Sequence, residues 1–418
     1  MMNARVLTTF SVVFLFLLLW ENGSFLTPAS RFLEQMTLDF RYRNFSPFNV
    51  PSDKIIFIDI DQDSLGQMNK THGAWPWKRT VWHDTVRALT EGQPKSILFD
   101  ILLTENDQNH LQLDAQFADL IKKYPNVSLA MSFQSANTAR PDRLPAATNS
   151  FSVEIQNAAI AKNNFSTFSR PYSPLWENLT HVHVVNSFKD TDGVFRTTPI
   201  FFGYDSQQFP SLGLKALQMY FEHPKFALDG NALQITSNNT TRYISLNNDL
   251  TFPFHLYGRK FQTMSFTFVH ELANKYKTSA RLKQYLQSLF KDKILIIGGS
   301  ANELKDLKQT AMHSRYPGAL LHATVISNIV EDHQLNKKPL DWCVLITLFL
   351  MALIYFHFIH VKNSLARSII PLGILIAYIA LGLYVFQVDN IALPLATPAL
   401  FCLLSYFLEL RIRSHSLK

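Results

Sequence analysis

Lys54-Ile-Ile-Phe-Ile-Asp-Ile-Asp61, followed shortly by Trp75-Pro-Trp-Lys-Arg79, decides how this chain folds. Ile56, Ile58 and Ile60 alternate with Phe57, Asp59 and Asp61, and the run is rich in β-branched residues. Residues two apart share a strand face, so the pattern predicts a buried strand ending with Asp59 and Asp61 on one side. An apolar strand that closes on carboxylates and leads into a loop and a helix opens many α/β domains, with or without a ligand.

The pattern repeats downstream. A helix expected over Lys78–Thr90 puts Trp82, Val86 and Leu89 on one face and ends at Glu91-Gly-Gln-Pro94. Ser96-Ile-Leu-Phe-Asp100 is a second apolar strand closing on a carboxylate, and a helix with Leu113, Phe117, Leu120 and Ile121 leads to strand Val127–Phe133. Strand–helix–strand–helix–strand at this spacing predicts right-handed crossovers and a parallel sheet. Residues 134–180 are polar and proline-broken, an insertion over one end of the sheet. His181–Val185 resumes strand character, a helix is expected over Phe209–Phe221, and alternating runs between Leu233 and Leu256 read as antiparallel strands. Lys293–Ile297 is a third buried strand running into Gly298-Gly-Ser300, and Gly318–Asp332 is the last helix of the domain. The fold class is mixed α/β, a largely parallel sheet with flanking helices.

Charged residues make up 17% of the 418 residues, below the roughly 25% typical of soluble domains. The deficit points to membrane segments. Val6–Trp20, preceded by Arg5, fits an N-terminal anchor or a signal segment within residues 1–24. Trp342–Ile359, Ile369–Phe386 and Ile391–Leu410 are three further apolar spans of membrane length, with Pro394 and Pro398 expected to kink the last. Lys362 and Arg367 flank the first two spans, Arg413 and Lys418 lie in the tail 411–418, and the other loop has only Asp389. The positive-inside rule then puts the tail in the cytoplasm and the domain 25–338 outside, with the three transmembrane helices in 339–410. The net charge of +7 comes without a basic stripe interleaved with aromatics, which argues against nucleic acid. Cys343 and Cys402 both lie in apolar segments, so neither a disulfide framework nor zinc spacing is available. No metal or cofactor is expected.

Asp59, Asp61 and Asp100 are expected to end neighbouring strands, where ligands of open α/β sheets bind. Such a rim suits a cation, an amine or sugar hydroxyls; equally, Asp59 and Asp61 suit turn caps or partners for Arg79. Trp75 and Trp77 offer either a stacking platform for a ligand or two rings packed over the sheet. Arg79 opens a helix, the end disfavoured for cations, which calls for a specific carboxylate or ligand partner. Gly298-Gly-Ser300 resembles a phosphate cradle but lacks the G-x-x-x-x-G-K-[ST] pattern, and Ser300 with Glu303 also reads as a capping box. His181 and His183 share a strand face with no third ligand at metal spacing, and His322 sits in an amphipathic helix as a core or interface histidine.

Taken together, Ile55–Asp61 with Ser64-Leu65, Trp75–Arg79, Ile97–Asp100, Asp192-Gly-Val-Phe-Arg196, Phe209-Pro-Ser-Leu212, Asp292–Ala301 with Lys305-Asp306, and Pro317–Ala323 resemble the CHASE2 domain in order and spacing. Two positions depart from the family pattern: Arg196 is followed by Thr197, and Thr310 by Ala311. The resemblance implies a bacterial, extracytoplasmic sensory domain between one membrane helix and three, in the cytoplasmic membrane, non-enzymatic, with an unidentified ligand and a capacity to homodimerise. Only eight residues follow Leu410, too few for a folded output domain, so the expected output is a separate signalling enzyme. A non-enzymatic envelope scaffold is the rival reading. An extracytoplasmic hydrolase lacks a coherent nucleophile, base and oxyanion set.

Overall fold

A computed structural model describes residues 11–17, 20, 27–46, 49–108, 110–134, 154–156, 165, 167–204, 207–222, 224–276, 280–337, 340–361 and 363–416. Most of the expected insertion over 134–180 and most of the expected anchor over 1–24 fall outside these residues. The chain forms two compact units, one from Asn49–Gln334 and one from Met1–Phe48 with Leu335–Lys418. Residues 25–48, grouped with the domain on sequence grounds, therefore group with the helices.

In the first unit, six strands build the main sheet: β1 (Ile55–Ile60), β2 (Ser96–Phe99), β3 (Val127–Gln134), β4 (His181–Val184), β5 (Gln262–Ser265) and β6 (Ile294–Gly299). Their order is β5-β1-β6-β2-β3-β4, and each neighbouring pair is parallel. Thr167–Ser169 adds a short antiparallel pairing to the end of β3, so the sheet is largely parallel, as expected. Helices cover both faces of such a sheet, and strands buried on both sides read as continuous apolar runs. In β1 every residue but Asp59 is buried.

Seven helices matter here: α1 (Gln62–His72), α2 (Arg79–Glu91), α3 (Leu111–Lys123), α4 (Leu212–Tyr220), α5 (Phe266–Tyr276), α6 (Ala280–Phe290) and α7 (Gly318–Val330). Ile56, Ile58 and Ile60 pack with Trp82, Val86, Phe117, Phe266 and Leu286 from α2, α3, α5 and α6. The Phe57 side of the sheet meets α7, an apolar helix buried at nearly every position. Lys225–Asp229, Ala232–Ser237 and Thr240–Ser245 form an antiparallel meander, its turn made by Asn238 and Asn239 at positive φ. The unit's two ends are tied together: the Ser52 N–H donates to Ser327 Oγ (2.8 Å) and Ser52 Oγ to Glu331 Oε1 (2.5 Å).

Two local expectations change. The stretch after β1, expected as a turn-rich loop before the helix over Lys78–Thr90, is helix α1, because Asp61 caps it, accepting from the Ser64 N–H at 2.7 Å. The helix expected from Phe209 starts at Leu212, with Ser211 as its cap, since Gln207–Pro210 is spent on a hairpin with Phe201–Tyr204.

In the second unit, Trp342–His360 and Ser364–Asp389 are the two helices among the described residues long and apolar enough to cross a membrane, with mean hydropathies of 2.3 and 2.4. The third expected span is not of this kind. Ile391–Ala392 pairs with Asn336–Lys337, and the helix runs from Ala396 to Ser416, so it takes in Glu409, Arg411 and Arg413 and absorbs most of the expected tail. Pro394 precedes this helix and Pro398 lies in its first turn, where a missing N–H costs little, so neither kinks it. Its N-terminus is capped from elsewhere: Glu34, on helix Thr27–Phe45, accepts from the Leu395 N–H (3.0 Å) and the Thr397 N–H (2.9 Å), while Arg41 donates to the Leu393 carbonyl (2.9 Å). Residues 11–17 and Trp20 are helical, and no N-terminal helix among the described residues is both long and apolar enough to span.

Candidate functional site

The carboxyl ends of β1, β6 and β2 bring together some of the expected site residues and separate others. Because β6 lies between β1 and β2, Asp59 and Asp100 end alternate strands, not neighbouring ones, with Gly298 and Gly299 between them. They open into different cavities.

Asp59 is held by Ser300, whose N–H (2.9 Å) and Oγ (2.7 Å) both donate to its carboxylate. Burial pushes the Asp59 pKa up, against the pull of those two hydrogen bonds. The same geometry removes the capping box. Asn302–Leu304 is a single 3-10 turn capped by Ala301 with no side-chain bond, because the Ser300 hydroxyl is spent on Asp59. The phosphate-cradle reading also gives way, since both glycines are packing positions. A Cβ on Gly298 would stand 2.5 Å from the Ala319 Cβ, and one on Gly299 would stand 2.0 Å from Leu304. Asp61 is occupied as the α1 cap.

Arg79 finds the carboxylate that its position at a helix start calls for, and it is Asp114. Arg79 Nε donates to Asp114 Oδ1 at 2.8 Å, Nη2 donates to the Glu105 carbonyl, and the guanidinium lies 4.8 Å from the centre of the Tyr172 ring. Asp114 also accepts from the Asp107 N–H at 2.7 Å. Sequence reasoning missed Asp114, yet a signal was present: it sits on the buried stripe of α3 with Phe117, Ala118 and Ile121. An acid on an apolar stripe needs a partner.

Trp77 is buried, stacked on Phe266 with ring centres 4.9 Å apart, and Trp75 packs edge-on against it at 4.9 Å across the cis Trp75–Pro76 bond. Trp77 therefore belongs to the core. Trp75 is half-buried and reaches the wall of the Asp100 cavity.

That cavity, about 370 Å³, is lined among others by Trp75, Asp100, Asp306, Lys308 and His322. Asp100 is half-buried as a residue, but its Oδ2 atom is fully enclosed and has no hydrogen-bond partner among the described residues. His322, on α7, is 2% exposed and its Nδ1 likewise has no partner there. The ring is bonded toward the Val185 carbonyl, and burial pushes its pKa down to about 4, so Nδ1 is a bare acceptor. His183 behind it is the opposite case: Nε2 meets the Phe99 carbonyl at 2.8 Å and Nδ1 the Ser128 hydroxyl at 2.7 Å. Asp306 pairs with Lys308 at 2.9 Å, and its carboxylate crowds the start of α7, where a Cβ on Gly318 would stand 2.3 Å away.

Burial, and then the Asp306 charge, hold the Asp100 carboxyl well above the usual carboxylate range, with Lys308 opposing. A folded pKa above the unfolded value favours folding below the ordinary aspartate pKa, and this contribution is lost as pH rises through the raised value. Asp100→Asn is therefore expected to stabilise the domain progressively as pH climbs through that window, by about 1–3 kcal/mol once Asp100 would be ionised. Denaturant titrations of both proteins across pH check this, and parallel curves would refute it.

A largely parallel sheet with helices packed on it and a polar cavity at its strand ends places the domain in the open α/β class. The chain belongs to the CHASE2 domain family, whose model matches residues 10–356. This is a family of sensory domains. No curated protein and no solved structure matches the chain.

Proposed function

We propose that the protein is a membrane receptor whose α/β domain, held on the extracytoplasmic side, binds a small ligand and passes the event through its helices to a signalling partner. The cavity beneath Asp100 and His322 carries this reading. Two buried acceptors left bare on one cavity wall cost stability that a bound donor would return. Membership of a sensory family and two helices apolar enough to span support the same reading. Binding without turnover fits the chemistry at the strand ends, since Ser300 is engaged by Asp59, and no histidine is bonded to it among the described residues.

Two measurements test the proposal. A cysteine replacing the exposed Tyr243 should react with a membrane-impermeant thiol reagent in intact cells (spheroplasts where an outer membrane intervenes). Cross-linking from the helix Ala396–Ser416 in native membranes should capture a kinase or cyclase, with a yield that changes in His322→Leu. Protection of the cysteine would overturn the orientation. Capture of wall or structural proteins alone would favour an envelope scaffold. A signal requires different affinities for two states, and the His322→Leu arm is what reads that difference.

A further inference from the structure

Resting on the reading of this domain as a ligand sensor, we infer that the cavity beneath Asp100 and His322 takes a small organic cation, an alkyl- or hydroxyalkyl-ammonium, whose N–H donors satisfy the acceptors the protein leaves bare. The polar atoms that need partners there are acceptors: Asp100 Oδ2 and His322 Nδ1. Lys308 is already committed to Asp306. The lining carries three acids, Asp100, Glu303 and Asp306, against two lysines, Lys305 and Lys308. Once Asp100 is ionised, an anionic ligand would add charge to that excess, and a neutral diol would answer the hydrogen bonds but leave the Asp100–Asp306 repulsion in place. An ammonium answers both. Trp75 adds an indole to the wall, and an aromatic ring face attracts cations. The volume of about 370 Å³ lies at the small end of ligand pockets.

The charged groups around Asp100 set the expected pH behaviour. Asp306, Lys305, Lys308 and Glu303 face it from the segment after β6, and neutral His322 faces it from α7. Behind His322 lie neutral His183 and buried Lys215 of α4. A bound cation favours ionised Asp100, so binding releases a proton, and affinity rises by up to about tenfold per pH unit below the raised pKa of Asp100.

The test uses the full chain in nanodiscs, titrated calorimetrically with ethanolamine and 1,4-diaminobutane and with their neutral counterparts ethylene glycol and 1,4-butanediol, between about pH 5 and pH 8. The expected result is saturable binding of an amine and not of its diol, tighter at higher pH. Asp100→Asn should weaken it at least tenfold and flatten the pH dependence, while far-ultraviolet dichroism and melting show a folded domain. His322→Leu should weaken it without flattening. Amine binding that Asp100→Asn leaves unchanged, diols binding as well as amines, or no amine binding at all would each overturn the inference. Diol or carboxylate binding would leave the sensor reading standing, and that reading falls separately if the cross-linking captures no signalling enzyme.

Discussion

Arg79→Met is expected to cost the α/β domain about 3–5 kcal/mol, the penalty for stranding one member of a buried ion pair. Arg79 is 7% exposed and Asp114 1% exposed. Once the guanidinium is gone, the Asp107 N–H still donates to the carboxylate at 2.7 Å, but no cation among the described residues balances its charge there. Methionine keeps an unbranched apolar stem, so the loss reports the charge, its hydrogen bonds and its contact with the Tyr172 ring. Arg79→Lys should recover only part of it, because lysine cannot serve Asp114 and the Glu105 carbonyl with one planar fork. Adding Asp114→Leu to Arg79→Met should restore most of the stability, since a buried pair replaced by apolar groups is often neutral. Urea titration of wild type, Arg79→Met, Asp114→Leu and the double variant closes the cycle, and an Arg79→Met midpoint equal to wild type would show that the pair is not desolvated. The loop that Arg79 anchors through Glu105 and Asp107 starts from Asp100, so the same variant should also loosen the cavity wall.

Gly298→Ala is expected to destabilise the domain by about 1–3 kcal/mol, the usual cost of overpacking a dense core. Its new Cβ would lie 2.5 Å from the Ala319 Cβ and 3.3 Å from Phe57 Cε2, in the central strand of the sheet. Neither neighbour is the far end of a flexible chain, so strand β6 and helix α7 must move apart. Ala319→Gly should rescue it in the double variant, less the roughly 1 kcal/mol that glycine costs inside a helix. Thermal melts of the two single variants and the double decide the matter, and absence of rescue would locate the clash elsewhere. Because α7 also carries His322, the displacement should weaken any ligand held in the cavity.

The sheet was legible because its strands are continuous apolar runs set at crossover spacing. What remained hidden was strand order. Nothing local in Lys293–Ile297 says that it inserts between Ile55–Ile60 and Ser96–Phe99, and that insertion is what separates Asp59 from Asp100. The three carboxylates looked equivalent in sequence and have three fates: a serine-bound residue, a helix cap, and an acid whose enclosed Oδ2 has no partner among the described residues. The cap at Asp61 was readable as turn chemistry, but the partners of Asp59 and Arg79 lie 241 and 35 residues away along the chain. His322 looked like core because it is core. Only packing reveals that one of its nitrogens is bare while His183 is satisfied. The last apolar run misled for a simpler reason: hydropathy does not see that Glu34 starts a helix at Ala396 instead of Ile391.

The pairing of Ser52 with Ser327 and Glu331 bears on the order in which the molecule assembles. The helical unit is drawn from two stretches of chain separated by the whole α/β domain, and bringing such stretches together across an unfolded chain carries a loop-closure cost before any contact rewards it. A folded domain whose first and last segments are already fastened side by side has closed that loop. Glu34 then meets the backbone of Leu395 and Thr397 from short range. The α/β domain is thus also the clasp that lets the early helix find the late one, and variants that slow its folding should delay the helices as well.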